Sequence, residues 1–293
     1  MAVKVLGVPT DFGANRRGVD MGASALRYAN LLTELRQLHL EVEDLGDLNI
    51  SVIRDKISND NFLESILDIC RKLADRVAGI VRQQDLPLIL GGDHSIAIGN
   101  LAGVSRQKAV GVIWFDAHGD FNNFATSPSG NIHGMALAAV VGQGDERLNN
   151  CCQFIPKVDP EQTVIVGARA LDPPEQKLLK ESGVTVFTTE DIDKAGMHEI
   201  MNQAIAVSSQ GVEGVHVSLD LDVVDPLEAP GVGTPVKGGL DYREAHLAME
   251  MIAEAEILSS VGVVEVNPIL DYQNQTAQLA VELVKSLLGE KIL

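Results

Sequence analysis

Eight short apolar runs of β type recur along the 293-residue chain, separated by longer amphipathic segments. They are VKVLGV (3–8), LEVEDL (40–45), LPLIL (86–90), VGVIWF (110–115), TVIVGA (163–168), VTVF (184–187), VHVSLD (215–220) and VGVVEV (261–266). Between them, helical spacing is clearest in 61–84, where Phe62, Ile66, Ile69, Leu73, Val77 and Ile80 fall on one face. Further helices are expected at 133–141 and 244–256. Strands alternating with helices restrict the chain to a mainly parallel sheet, because each parallel connection needs a crossover. We therefore expect one domain over 1–293, a three-layer α/β/α sandwich of about eight strands. Hydrophobic residues make up 45%, enough for such a core.

The polar residues of this pattern fall where its strands end. LPLIL runs into GGDHS, VGVIWF into DAHGDFN, and VHVSL into DLDVVDP, while VGVVEV carries Glu265 before NP. In open parallel sheets, ligands bind outside the carboxyl ends of the strands. Strand side chains alternate faces, so Asp116, His118 and Asp120 project together, and Asp220 and Asp222 repeat the device. His94 adds another nitrogen. Clustered carboxylates repel unless paired, and none of these motifs holds a lysine or arginine. Divalent cations are the natural partner. Two imidazoles and four carboxylates, with no thiolate, suit Mn²⁺ better than a structural zinc, and six residues suffice for two ions if carboxylates bridge. Asp93 reads as a supporting or backbone-capping group, His216 as a buried hydrogen-bonded histidine, and Trp114 as core.

The formal net charge is −18, which disfavours nucleic acid and anionic membranes and tolerates a cationic ligand. No apolar run is long enough for a membrane helix, and MAVKVLGVPT lacks the pattern of a signal peptide, so a cytoplasmic location is expected. Cys70, Cys151 and Cys152 form no CxxC pair and are expected to be reduced.

GGDHS, DAHGDFN, SGNIHG and SLDLDVVDP together resemble the signatures of the ureohydrolase family, and the likeness runs from GVPTDFGANRRGVDMGASALR (7–27) to EVNPILD (265–271). NFATSPSGNIHGM is similar to the arginase branch, in its bacterial form. The resemblance implies hydrolysis of L-arginine to L-ornithine and urea by a hydroxide bridging two Mn ions, in a homo-trimer or homo-hexamer. By motif, His94, Asp116, Asp120 and Asp220 would hold one ion, and Asp116, His118, Asp220 and Asp222 the other. Asp120 would accept the hydroxide proton, His133 would shuttle protons, and Glu265 would meet the guanidinium with two oxygens. Asn122, Ser127, Ser129 and Asn131 match positions that receive the amino-acid end. Asp172, with Glu175 behind it, matches an acid for the α-ammonium, and Thr234 lines the guanidinium end. The chain departs from the family pattern at Val223, Phe121, Phe124 and Pro128, each bulkier or stiffer than expected. Two rival readings are agmatinase or another guanidino-compound ureohydrolase, and a non-catalytic metal-binding regulator.

Overall fold

The computed structural model describes residues 1–50, 59–153 and 155–291. All eight apolar runs form strands: β1 (Val3–Val8), β2 (Val42–Asp47), β3 (Leu86–Gly91), β4 (Gly111–Phe115), β5 (Thr163–Ala168), β6 (Thr185–Thr188), β7 (Val215–Asp220) and β8 (Leu258–Val264). They pair in the order β2-β1-β3-β8-β7-β4-β5-β6. Every pairing is parallel. Helices cover both faces, giving the expected three layers. Val3, Val5, Leu88, Ile113, Val164, Val217 and Val263 pack on one side against helices including Tyr242–Ala255 and Gln275–Leu287. Leu6, Ile89, Val112, Trp114 and Ile165 pack on the other, where Asn59–Arg82 and Ala97–Ser105 lie. The inner strands β3, β4, β5 and β7 are buried at every position, as parallel strands covered on both faces require.

Most element boundaries agree with the sequence pattern, and the differences have local causes. The expected helix at 133–141 opens as a 3₁₀ turn, His133–Met135, before Ala136–Val140. The last strand stops at Val264 rather than 266, because Glu265 takes a left-handed backbone (φ 64) that leaves the ladder.

The order β3-β8-β7-β4 makes four strands immediate neighbours in the middle of the sheet. Because all run the same way, their carboxyl ends open on one edge. That edge carries His94, Glu265, Asp220 and Asp116. The turn after β3 is tight: a Cβ on Gly92 would stand 2.2 Å from Thr10 O, so only glycine fits there. Val223 is buried and packs on Gly167, whose φ is +97. The bulk of Val223 thus makes a contact between β5 and the segment after β7.

Among the described residues, no helix is long and apolar enough to cross a membrane. The three cysteines are free and buried.

Candidate metal centre and substrate cavity

His94 follows Asp93, whose carboxylate caps the 3₁₀ turn His94–Ile96 by accepting from Ser95 N, and also accepts from Gly13 N (2.9 Å). The imidazole stacks on the Trp114 ring (centroids 4.0 Å apart), and its Nε2 lies 2.7 Å from Ser218 Oγ. Its other nitrogen, Nδ1, lies 3.1 Å from Asp116 Oδ2, 3.1 Å from Asp120 Oδ2 and 3.3 Å from Asp220 Oδ2. On the other side of Asp116, His118 Nδ1 lies 3.3 Å from Asp116 Oδ1 and 3.0 Å from Asp222 Oδ2. Backbone and side-chain donors fix these carboxylates: Trp114 Nε1 and His118 N donate to Asp116, Ala117 N and Thr234 Oγ1 to Asp222, and Asp222 N to Asp220. Trp114, read from sequence as core alone, therefore also holds a carboxylate and a histidine in place.

The electrostatics are those of an unbalanced cluster. Burial pushes Asp220 well above its ordinary value, and the charges of Asp222 and Asp116 push it further. Burial and Asp116 raise Asp120 to about 6. Burial also disfavours ionised Asp116, but His118 and His94 outweigh it and hold that carboxyl well below its usual range. Against the same burial, the carboxylates lift His118 to about 12 and His94 well above its usual value. Protons are here doing what cations would do.

The donors fit divalent metal. His94 Nδ1 and Asp120 Oδ2 are buried without a hydrogen-bond partner, although they face each other at 3.1 Å. Their geometry serves a common third atom better than a mutual hydrogen bond. Among the described residues, two groups have ligand atoms within 4.8 Å of one another: His94, Asp116 and Asp220, and Asp116, His118 and Asp222. Asp116 belongs to both.

Above this floor opens a cavity of about 300 Å³. His118, Asp120, Asp220 and Asp222 line its depth with Thr234 and His133, while Asn122, Ser127, Ser129, Asn131, Asp172 and Glu175 form its outer walls. The sequence-derived substrate residues thus share one cavity. Asn122 Nδ2 donates to Asp172 Oδ2 (3.2 Å), which leaves the buried Asn122 Oδ1 without a partner. Glu175 is buried, and its two oxygens accept from Phe121 N (2.9 Å) and Asp172 N (3.2 Å). Burial raises it to about 7. It props the wall that presents Asp172.

Glu265 differs from the two-oxygen acceptor expected for the guanidinium. Its Oε1 is taken by His133 Nδ1 (2.8 Å) and His94 N (2.9 Å), and only Oε2 is without a partner. His133 rises to about 9 because Glu265 and other nearby acids outweigh burial.

Two residues went unnoticed in the sequence. Asn15 lies on the rim of the cavity, on a loop tied down where His133 N donates to Gly13 O (3.1 Å). Arg169 gives its guanidinium to the carbonyls of Gly167, Asp222, Val223 and Val236, fixing the segment after β7 from behind. Its only sequence signal is a cation directly after the apolar run TVIVGA. His216 is buried, with Nδ1 2.7 Å from Ser260 Oγ, as expected.

Comparisons with known proteins agree with this geometry. The chain is 52% identical over 295 residues to an arginase of Bacillus subtilis (strain 168), covering 99% of each. It is 51% identical over 294 residues to an arginase of Brevibacillus brevis, with the same coverage. Its fold superposes on the native structure of the Bacillus caldovelox arginase with a TM-score of 0.96, at 50% identity, covering 100% of this chain and 99% of that one. The family model described as the arginase family matches residues 1–289. An acid-and-imidazole floor beneath an Asn/Ser rim, whole-length identity of about half and a family match along nearly every residue agree: the chain belongs to the arginase family.

Proposed function

We propose that the chain is a hydrolase of the guanidino C–N bond that converts L-arginine to L-ornithine and urea, with two Mn²⁺ ions held by His94, Asp116, His118, Asp120, Asp220 and Asp222. The observation that carries this reading is the polarity of the cavity: an anionic, metal-fitting floor below a rim of uncharged donors and one acid. A guanidinium suits the floor and an amino-acid head suits the rim.

Ser127, Ser129 and Asn131 supply donors for the α-carboxylate without adding charge. Asp172 accepts from the α-ammonium. With its amide nitrogen on Asp172, Asn122 offers its unpartnered carbonyl to the same ammonium. Glu175 holds this wall rather than reaching the ligand, since both its oxygens are taken. Glu265 accepts one guanidinium hydrogen bond through Oε2 and a second once His133 leaves Oε1. When bound, the two cations supply Lewis acidity that makes water a nucleophile near neutral pH. Asp120, between His94 and the cavity, accepts the proton of the attacking water and passes it to the leaving amine. His133 exchanges that proton with solvent. We further propose a cytoplasmic homo-trimer or homo-hexamer.

The nearest rival substrate is agmatine, which has no carboxylate. The rim of Ser127, Ser129 and Asn131 would then stand unpaired, which favours arginine. The test is to incubate the Mn²⁺-loaded protein with arginine, agmatine, guanidinobutyrate and formiminoglutamate and to measure urea or formamide. Urea chiefly from arginine supports the proposal. A preference for agmatine replaces it with the rival, and no turnover of any substrate leaves a metal-binding regulator.

A further inference from the structure

A second cavity, of about 450 Å³, opens beside the first. Asn15, Ser129 and Asn131 line both, so the two are separated by the residues that face the amino-acid end of the substrate. Its remaining wall is mainly apolar, with Phe12, Phe62, Leu63, Phe124 and Ile132, and also carries Arg147. The Phe12 and Phe62 rings stand 5.6 Å apart, tilted by 32°. Phe124 is 39% exposed, with the Arg147 guanidinium 4.8 Å above its ring. Gly130, also on this wall, has open space where a Cβ would stand.

Aromatic rings gathered around an open concavity mark a place where an apolar group docks. Arginine has none to offer there, since its α-carbon bears only two charged groups beyond the side chain. A group attached through the carboxyl carbon, however, would cross the shared wall and enter the second cavity. The amino group would stay free for Asp172. The carbonyl oxygen would still accept from Ser129 or Asn131.

We propose that this second cavity is a subsite for the apolar side chain of a residue joined to the carboxyl group of arginine, so that the protein binds arginyl dipeptides such as Arg-Phe and Arg-Leu. The proposal rests on the arginine-hydrolase reading, which places the α-carbon at the shared wall. The ring gains its affinity from burial against Phe12, Phe62 and Phe124, and a glycine in that position gains nothing.

The test uses calorimetric titration of the Mn²⁺-loaded protein with Arg-Phe, Arg-Leu and Arg-Gly, with arginine turnover measured on the same preparation. Arg-Phe should bind roughly tenfold more tightly than Arg-Gly, the effect of burying most of one aromatic side chain. Phe62→Ala should erase that advantage while leaving arginine turnover within about twofold, because Phe62 touches only the second cavity. Phe124→Ala, at a position exposed enough to tolerate truncation, should erase it independently. Equal affinity for Arg-Phe and Arg-Gly in the unmodified protein, or an advantage retained in both variants, overturns the subsite. If arginine is not hydrolysed, the functional reading fails instead, and the dipeptide affinities still decide whether an apolar subsite exists.

Discussion

His133 Nδ1 stands 2.8 Å from Glu265 Oε1, joining two side chains 132 residues apart beside the acid cluster. His133 enters from a 3₁₀ turn, and Glu265 from a left-handed residue just past β8. Glu265 also accepts from His94 N, so one carboxylate ties the cavity's histidine to the backbone of a metal-site residue. Asp120 is also left-handed (φ 49), one of ten non-glycine residues with positive φ among those described.

The first prediction concerns this pair. Glu265→Gln removes the charge that holds His133 protonated and one acceptor for the guanidinium. Because neither residue is among the six proposed ligands, metal content should be unchanged while kcat for arginine falls by roughly 10²–10⁴, the range for losing a positioned proton-transfer group. Urea release and elemental analysis on the same sample provide the check. A kcat within a factor of a few of the parent would remove the pair from the chemistry.

The second prediction follows from Asp116, whose oxygens lie near both His94 Nδ1 (3.1 Å) and His118 Nδ1 (3.3 Å). Asp116→Asn should lose both ions and nearly all activity. His94→Asn should lose chiefly one, since His94 Nδ1 faces only the group of Asp116, Asp120 and Asp220. Two ions per chain in Asp116→Asn, measured after dialysis, would refute the bridging assignment.

The gathering of acids and imidazoles was legible in the sequence for a physical reason. Inner parallel strands are buried on both faces, so an acid on them sits at an end, and DAHGD and DLD mark two such ends. The order β3-β8-β7-β4 that makes those ends neighbours was not legible, because no local pattern encodes which strand a crossover returns beside. Arg169 was missed for the same reason: its acceptors are backbone carbonyls, which every residue has. The pairing of His133 with Glu265 Oε1, and hence the single unpartnered oxygen of Glu265, depends on side-chain orientation that spacing cannot give.

The third prediction is a pH effect on stability. Burial, helped by the positive charge on His94, lowers His216 to about 3 from an ordinary 6.5. The unfolded chain therefore binds the proton first as pH falls. Stability from this residue is intact above 6.5 and is lost progressively as pH drops from there toward 3. At pH 5 the loss is roughly 2 kcal/mol, from 1.36 kcal/mol per pH unit over about 1.5 units. His216→Gln should be less stable at neutral pH, yet should lose about that much less between pH 7 and pH 5. Urea unfolding of metal-free protein at the two pH values tests this, and equal losses in both proteins would show that His216 is protonated in the fold.

The fourth prediction separates recognition from chemistry. Agmatine keeps the guanidinium, so the floor and Glu265 should treat it as they treat arginine. Any discrimination must arise at the rim, where Asn131 and Asp172 line the cavity. A site built for a carboxylate leaves its donors unpaired when agmatine enters, and such mismatches reach a factor of ~10⁴. Asp172 is also the N-cap of the helix Pro173–Ser182, and replacing it with alanine would cost that helix about 1 kcal/mol. Asp172→Asn avoids this confusion, because asparagine caps as well as aspartate while losing the charge that attracts an ammonium. Asp172→Asn and Asn131→Ala should each lower kcat/KM for arginine by at least about tenfold with both metals retained, the effect of one lost charged or polar contact. Agmatine should be affected far less by Asn131→Ala, since it has no α-carboxylate, whereas Asp172→Asn should weaken both substrates, since agmatine keeps its ammonium on the same carbon. The quantity to compare is the arginine-to-agmatine ratio of kcat/KM, parent against each variant. A parent that prefers agmatine would overturn the arginine assignment. An unchanged ratio in Asn131→Ala would leave that assignment standing and move the recognition of the α-carboxylate to other residues of the rim, and unchanged kcat/KM for both substrates in Asp172→Asn would do the same for the ammonium.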